Sequence, residues 1–189
     1  MARIISGFAG SLTLAVPASG TRPTSDRVRE AIFSALEARD VIVGARVADL
    51  YAGTGALGLE AASRGALHVT LVDKGQAATT ACRKNAALVL KAAPGGSKLT
   101  IEVSGSSVQG FLDAPKQPFD LVFLDPPYEL GEEELVRNLA SLVPRLSEDA
   151  VVLIERSSRD REPAWPEGIE LDRRKDYGDT SLFWLSPTA

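Results

Sequence analysis

From residue 46 onward, short apolar segments alternate with segments of helical periodicity, and this alternation restricts the folds open to the chain. It predicts an α/β fold with a mostly parallel sheet and helices on both faces, because parallel strands are usually joined by helices. Ligands of such sheets bind at the carboxyl ends of the strands, so we expect the chemistry there. The predicted strands are ARVADL, HVTLVD, KLTIEVS, FDLVFLD and AVVLIER. The predicted helices are GALGLEAASR, QAATTACRKNAALVL, SSVQGFLD and EEELVRNLASLVPRL.

The two ends of the chain predict additions to this core. Residues 1–20 are typical of a β-hairpin extension, with RIIS and LTLAV on either side of a turn. Thr24 or Ser25 caps a helix whose apolar residues recur at helical spacing. The tail IELDRRKDYGDTSLFWL predicts two antiparallel strands around a Gly-Asp turn. We therefore expect one α/β domain over residues 21–189, preceded by a small hairpin.

Composition excludes several classes of protein. The chain has 189 residues, of which 44% are hydrophobic and 24% charged, as in an ordinary globular domain. Cys82 is the only cysteine and His68 the only histidine, which excludes disulfides within the chain and Cys/His zinc sites. We expect no metal. The apolar stretches are too short for a membrane span and the first residues lack a signal-peptide core, so we expect a cytoplasmic protein without membrane contact. The sequence has no evident interface signature, so we expect a monomer.

Charge is distributed unevenly along the chain. The formal net charge is -4, but residues 1–29 carry four arginines and one acid, a local balance of +3. The helical pattern leaves Arg27 and Arg29 on faces away from the apolar residues. Such a basic segment is compatible with a phosphate-facing patch for a nucleic acid, but charge alone favours a merely solvated segment. The predicted substrate-binding arginines are Arg3, Arg22, Arg27 and Arg29.

The first strand leads into DLYAGTGALG, which satisfies the pattern G-x-G-x-x-G with Gly53, Gly55 and Gly58. This pattern occurs in dinucleotide-binding proteins and in S-adenosylmethionine enzymes, and Asp73 at the end of the second strand fits ribose hydroxyls in either. Asp49 favours S-adenosylmethionine, because a carboxylate repels pyrophosphate but attracts an amino group and a sulfonium. The alternative is that Asp49 caps a turn and Asp73 only ends a strand.

Two further segments lie at strand ends. In EVSGSSVQGF, Ser106 and Ser107 are candidates for contacts with an adenine ring, although an ordinary helix cap explains them equally well. In DLVFLDPPYE, two prolines after Asp125 remove amide donors and leave an acceptor-rich turn, which suits the exocyclic amine of a base. Tyr128 is placed to stack on that base. An Asp-Pro-Pro turn beside a packed tyrosine is the structural alternative.

With these motifs the chain resembles the class I S-adenosylmethionine-dependent methyltransferases that carry an [N/D]-P-P-[Y/F/W] motif. More narrowly, it resembles the RsmD-type 16S ribosomal RNA guanine-N2 methyltransferases. The segments that carry this narrower resemblance are RIISGFAGSLTLAVP, TRPTSDRVREAIFSAL, DLYAGTGALGLEAASRGA, VFLDPPY and DYGDTSLFWL.

The resemblance implies a Rossmann-like sheet of seven strands with the last strand antiparallel. It also implies methyl transfer to the N2 amine of one guanine in small-subunit ribosomal RNA, within an assembled or partly assembled 30S particle, with S-adenosylhomocysteine as the other product. The hairpin is then expected to help engage RNA. The predicted catalytic residues are Asp125, Pro126, Pro127 and Tyr128. The predicted cofactor residues are Thr24, Asp49, Tyr51, Gly53, Gly55, Gly58, Asp73, Ser106 and Ser107.

Other functions stay open on the sequence alone. A DNA adenine-N6 or cytosine-N4 methyltransferase, or a protein-glutamine methyltransferase, uses the same kind of acceptor turn. A nicotinamide-dependent oxidoreductase shares the glycine pattern, although Asp49 argues against it. A non-enzymatic RNA-binding or assembly protein with the same fold is the remaining alternative.

Overall fold

A computed structural model describes residues 2–17, 25–114, 117–127 and 129–188. The predictions for Arg22, Thr24 and Tyr128 fall on residues outside those described. Within the described part, the helices are α1 (Asp26–Ala38), α2 (Ala56–Ser63), α3 (Gln76–Ala92), α4 (Val108–Asp113) and α5 (Glu132–Leu142). The strands are β1 (Arg46–Leu50), β2 (His68–Val72), β3 (Thr100–Ser104), β4 (Phe119–Leu124), β5 (Leu146–Ser157), β6 (Ile169–Tyr177) and β7 (Thr180–Pro187).

The described strands form one seven-stranded sheet in the order β3-β2-β1-β4-β5-β7-β6. Neighbours among β1 to β5 pair in parallel, whereas β7 runs antiparallel to both β5 and β6. The order reverses at β1, from which the chain moves first to β2 and β3 and later to β4. A reversal of this kind opens a crevice at the carboxyl ends of the strands, where ligands bind. The predicted α/β architecture is confirmed.

Alternating side chains of the central strands fill two cores. In β4, Leu121 and Phe123 face the core on the side of α1, α2 and α3, while Val122 and Leu124 face the core on the side of α4 and α5. Because a strand buried on both faces needs apolar residues at every position, FDLVFL is an apolar run rather than an alternating pattern. Phe33 of α1 packs on Phe123 with ring centroids 5.7 Å apart.

The N-terminal segment forms a hairpin-like turn that packs on α2. One antiparallel bridge joins Arg3 and Thr13. The carboxylate of Glu60 in α2 is 0% exposed and accepts the backbone N–H groups of Ile5, at 2.6 Å, and Ser6, at 3.0 Å. Arg64 donates to the same carboxylate at 2.7 Å, so the buried charge is paired. The turn is therefore held against the sheet domain by a specific buried acid.

Two local expectations are wrong. The helix predicted for EEELVRNLASLVPRL ends at Leu142 and is followed by a 3-10 turn over Val143–Arg145, because Pro144 has no N–H to continue the helical ladder. Arg29 does not lie on an outer face of α1, since it is only 2% exposed. The helix is capped at Ser25, whose hydroxyl accepts the N–H of Val28 at 3.3 Å.

Candidate functional site

A cavity of about 930 Å³ opens at the carboxyl ends of β1, β2 and β4. Asp49 and Tyr51 line it from β1, Asp73 from the end of β2, and Asp125 from the end of β4. The N-terminal segment and the first turn of α1 form a further wall. A cavity of this size is typical of a site for a cofactor-sized small molecule.

The turn after β1, residues 51–55, is here called the glycine turn. Gly53 has a φ of 57°, and a Cβ at that position would meet no atom within 4 Å, so a ligand can approach the backbone there. Gly55 and Gly58 do not line the cavity. A Cβ on Gly58 would lie 2.6 Å from Leu71 Cδ2, so this glycine allows α2 to pack closely on the sheet. The G-x-G-x-x-G residues thus divide between ligand access and packing.

Asp49 is a buried carboxylate that lines the cavity. It is 2% exposed, and its Oδ2 accepts the N–H of Gly58 at 2.8 Å. Burial raises the pKa of Asp49 to about 7, an effect to which the nearby charge of Asp73 adds and which the Gly58 N–H opposes. A cation placed beside this group would favour its ionised form. The arrangement therefore suits a positively charged part of a ligand.

Asp73 joins the ends of β1 and β2. Its Oδ2 accepts the N–H of Gly53 at 3.0 Å and its Oδ1 accepts the N–H of Gly75 at 2.8 Å. Two backbone donors fix the orientation of the carboxylate, while each oxygen keeps a lone pair. The carboxylate can therefore also accept hydroxyl groups of a ligand in the cavity.

Tyr51 begins the glycine turn in a backbone conformation that is rare for a residue other than glycine, with a φ of 64°. Its hydroxyl accepts a hydrogen bond from Asn138 of α5 at 2.5 Å. Partial burial, together with the charge of Glu134, raises the pKa of Tyr51 to about 12, so the phenol stays neutral. The ring lines the cavity between the ends of β1 and α5.

The turn after β4, residues 125–127, is here called the proline turn. Asp125 follows β4 directly, and its N–H points to the carbonyl of Leu50 at 3.4 Å. Pro126 is buried and Pro127 is exposed, and neither has an N–H to donate. The two prolines therefore bring no N–H donor to the cavity that they line, and the carbonyl of Pro127 accepts the N–H of Leu130 at 2.9 Å. Beyond the proline turn, Arg156 donates to the carbonyl of Leu130 at 3.3 Å and holds the following loop.

The end of β3 contributes less to the cavity than the ends of β1, β2 and β4. Ser107 lines the cavity and caps α4, accepting the N–H of Gly110 at 3.1 Å. Ser106 instead hydrogen-bonds with Ser104 at 2.9 Å and does not line the cavity. The helix-cap interpretation of these serines thus holds for Ser107, which also keeps its place at the site.

The predicted basic patch splits into exposed and buried parts. Arg3 is 61% exposed and lies 3.3 Å from Asp26, and Arg27 is exposed on α1. Arg29 is buried, lines the cavity and contacts the same Asp26 at 2.6 Å. Hydrogen bonding from Arg29 lowers the pKa of Asp26, so this acid stays ionised between its two arginines.

Charge in the cavity is predominantly acidic. Of the described residues that line it, seven are acidic and two, Arg29 and Lys74, are basic. Sequence reasoning missed the contribution of Glu134 and Glu155, because they lie on α5 and β5, away from any motif. Such a lining disfavours a polyanion deep in the cavity and favours a ligand that carries positive charge.

Asn85 was also missed by the sequence analysis. This buried side chain of α3 donates to the carbonyl of Thr54 at 2.9 Å and exchanges hydrogen bonds with the backbone of Ala15 at 2.8 and 3.0 Å. It therefore fixes the N-terminal segment against the glycine turn. Cys82 donates to the carbonyl of Gly53 at 3.3 Å, and burial raises the pKa of its thiol to about 12. Both residues support the turn from behind.

The described residues offer neither a metal site nor a membrane-spanning helix. In the described ranges no group of three or more histidine, cysteine or acidic side chains is arranged to hold a metal ion. No helix among those described is long and apolar enough to span a membrane. His68, at the opposite end of β2 from Asp73, contacts Thr100 at 2.8 Å and does not line the cavity.

Comparisons with known proteins find relatives over nearly the whole chain. The family model described as "Conserved hypothetical protein 95" matches residues 2–186. A ribosomal RNA small subunit methyltransferase D of Escherichia coli strain K12 is 38% identical over 180 residues, covering 95% of this chain and 86% of the relative. A solved Escherichia coli structure whose name describes a methyltransferase has a TM-score of 0.84 at 34% identity, covering 100% of this chain and 98% of that one. The fold also matches that of magnesium protoporphyrin IX methyltransferase from Synechocystis with bound S-adenosylmethionine, with a TM-score of 0.66 at 14% identity, covering 89% of this chain and 87% of that one.

Proposed function

Because the chain belongs to the family described as conserved hypothetical protein 95, the RsmD-type family, we propose that it transfers a methyl group from S-adenosylmethionine to small-subunit ribosomal RNA. The observation that carries this proposal is one cavity lined both by the glycine turn with its acids and by the proline turn. In more detail, the acceptor is the exocyclic N2 amine of a guanine. The substrate is RNA within an assembled or partly assembled small subunit, which the protein meets in the cytoplasm.

The residues around the glycine turn fit S-adenosylmethionine. Gly53 leaves room at the backbone, and Asp73 is oriented by two N–H groups toward ribose hydroxyls. Asp49 is a buried acid whose ionised form is stabilised by a cation, as the amino group of the cofactor would provide. When bound, this cofactor supplies a methyl group on a positively charged sulfur. The acidic lining suits that charge, whereas it opposes a pyrophosphate group and so argues against a nicotinamide dinucleotide.

The proline turn supplies acceptors for the amine of the base. An exocyclic amine is a poor nucleophile, because its lone pair is delocalised into the ring. The carboxylate of Asp125 and the backbone carbonyls of Asp125 and Pro126 accept its N–H groups and favour localisation of that lone pair. As the nitrogen gains positive charge during transfer, these hydrogen bonds strengthen, so they stabilise the transition state more than the ground state.

The rigidity of the proline turn assists positioning. Pro126 and Pro127 restrict the backbone, and Pro126 is buried against the sheet domain. Strand β4 pairs in register with β1, with Leu124 beside Leu50, so the two turns begin side by side. Holding the amine in line with the methyl donor is the main contribution of such a site, and it needs no covalent enzyme intermediate. The stacking role of Tyr128 remains part of the proposal.

RNA engagement by the N-terminal hairpin, residues 1–20, is proposed from charge and position. Arg3 and Arg27 are exposed, and the N-terminal segment forms one wall of the cavity. Cations there can contact phosphates beside a base that enters the site. One chain supplies both turns, so we expect it to act as a monomer.

The experiment is transfer of labelled methyl from S-adenosylmethionine to small ribosomal subunits that lack their native methylations. Free small-subunit RNA, duplex DNA and ribosomal proteins serve as parallel acceptors, and labelled RNA is digested for nucleoside analysis. We expect label in RNA as N2-methylguanosine, with none in DNA or protein. Label in DNA or protein, or a different methylated nucleoside, would overturn the corresponding part of the proposal.

A further inference from the structure

Arg29 is a buried cation whose hydrogen bonding is incomplete. Its side chain is 2% exposed, and Nη2 contacts Asp26 Oδ1 at 2.6 Å. Nε and Nη1 have no hydrogen-bond partner among the described residues. A guanidinium carries five N–H donors and stays charged at all physiological pH values. Burial of two nitrogens without acceptors is unfavourable, so an acceptor in the adjoining space would be bound strongly.

The adjoining space is the cofactor cavity itself. Arg29 lines this cavity from α1, together with Asp26 and with residues of the N-terminal segment. Asp49 and Asp73 line the same cavity from β1 and the end of β2. A cation from one element and carboxylates from two others thus surround one volume. This charge arrangement fits a ligand that bears both an anionic and a cationic group.

The neighbouring acid does not cancel the charge of Arg29. Asp26 is shared, because Arg3 Nε lies 3.3 Å from its other oxygen. Arg3, Asp26 and Arg29 together therefore carry one net positive charge at this wall of the cavity. An anion can bind to Arg29 without displacing Asp26 from Nη2.

We propose that Arg29 binds the carboxylate of the amino-acid portion of S-adenosylmethionine. The inference rests on the proposed function and adds a residue to its cofactor site. It replaces the RNA-binding role that the charge pattern suggested for Arg29. A phosphate of RNA is the less suitable anion, since the residue is buried and the cavity around it is predominantly acidic.

The test compares two ligands and four proteins by isothermal titration calorimetry. The ligands are S-adenosylhomocysteine and its decarboxylated analogue, which keeps the amine and lacks only the carboxylate. The proteins are wild type, Arg29→Gln, Arg29→Lys and Arg137→Gln. Arg137 is exposed on α5 and does not line the cavity, so its variant controls for loss of an arginine elsewhere.

Wild type and Arg137→Gln should bind S-adenosylhomocysteine roughly 10- to 100-fold more tightly than the decarboxylated analogue, the range expected for a charge-assisted hydrogen bond. Arg29→Gln should bind the two ligands about equally, because the variant lacks the cation that contacts the carboxylate. Arg29→Lys should recover part of it, since an ammonium keeps the charge but not the geometry. Affinity for the decarboxylated analogue should be the same in all four proteins.

A preference for the carboxylate that persists in Arg29→Gln would overturn the assignment, as would a wild-type protein that binds both ligands equally. The second result needs no variant, so the proposal can be refuted even if Arg29→Gln fails to fold. RNA binding by Arg29→Gln is measured in parallel by filter binding. If this variant loses affinity for small-subunit RNA and binds S-adenosylhomocysteine as wild type does, the anion at Arg29 is an RNA phosphate and the proposal is overturned. A wild-type protein that binds neither ligand would refute the proposed cofactor itself.

Discussion

The glycine turn and the proline turn follow adjacent strands, yet they present opposite hydrogen-bonding groups. In the glycine turn, Tyr51, Gly53 and Gly55 all have positive φ, and the N–H of Gly53 donates to Asp73. In the proline turn, two successive residues have no N–H at all. In the proposed function, the first turn orders carboxylates around the cofactor and the second offers acceptors to the amine. On that proposal, the backbone chemistry of two neighbouring turns separates cofactor binding from methyl transfer along one sheet edge.

The largest effect should come from Asp125→Ala in the proline turn. We expect the rate of methyl transfer to fall by about 10²- to 10³-fold, the usual cost of removing a hydrogen bond that strengthens in the transition state. Affinity for S-adenosylhomocysteine should change little, since none of the proposed cofactor residues lies on the proline turn. Single-turnover transfer and calorimetry measure the two quantities separately. Near-normal transfer by the variant would refute the acceptor role of the proline turn.

Next in size is the effect of filling the space behind the glycine turn. In Gly58→Ala the new Cβ would meet Leu71 Cδ2 at 2.6 Å and Asp49 Cβ at 3.0 Å. Such overpacking should lower the free energy of unfolding by about 1–3 kcal/mol. Gly95→Ala is the matched control, because its Cβ would meet nothing within 4 Å. Denaturant unfolding of both variants checks the difference, and equal stability would show that Gly58 is not needed for packing.

The sequence predicts the sheet and three of the acids that line the cavity, but not how side chains pack around the glycine turn and α1. Strands and helices are recovered because their apolar periodicities differ, and Asp49, Asp73 and Asp125 are found because parallel strands end at one edge. The division between Gly53 and Gly58 could not be predicted, since the motif spacing does not show which glycine faces a ligand. The burial of Arg29 was missed because a helical pattern places charge outside. Arg29 instead lies in a cavity wall that the N-terminal segment and the first turn of α1 form together.

A smaller effect concerns the titration of Asp49. Its pKa is about 7 in the folded protein against an ordinary value of 3.8. A ligand cation favours the ionised form, so affinity for S-adenosylhomocysteine should increase roughly tenfold from pH 6 to pH 8 and then level off. Asp49→Asn should bind more weakly and without this dependence. Calorimetry across this pH range checks it, and a flat wild-type profile would contradict contact between Asp49 and a cation.

The same titration affects stability in a defined direction. The folded protein holds the Asp49 proton more tightly than the unfolded chain does, because burial raises the pKa. The contribution of this group to stability is therefore present below pH 3.8, declines as the pH rises toward about 7, and is constant above it. Asp49→Asn should remove that decline from the stability profile measured by denaturant unfolding.

The smallest effect should follow from Arg3→Gln on the exposed hairpin. Loss of one phosphate contact should weaken RNA binding only a few-fold, and should reduce the slope of affinity against salt concentration by about 1. Glu133→Gln on α5 is a control for a surface charge away from the hairpin. Filter binding with small-subunit RNA at several salt concentrations measures both. An unchanged slope in Arg3→Gln would show that Arg3 does not contact an RNA phosphate.

A crystal structure of this protein with S-adenosylhomocysteine would test the proposed roles of the two turns. We expect ribose hydroxyls at Asp73, the amino group near Asp49, and the sulfur facing the proline turn across the shared cavity. A ligand bound outside this cavity, or one whose sulfur faces away from Asp125, would contradict the division between a turn that binds and a turn that supports transfer.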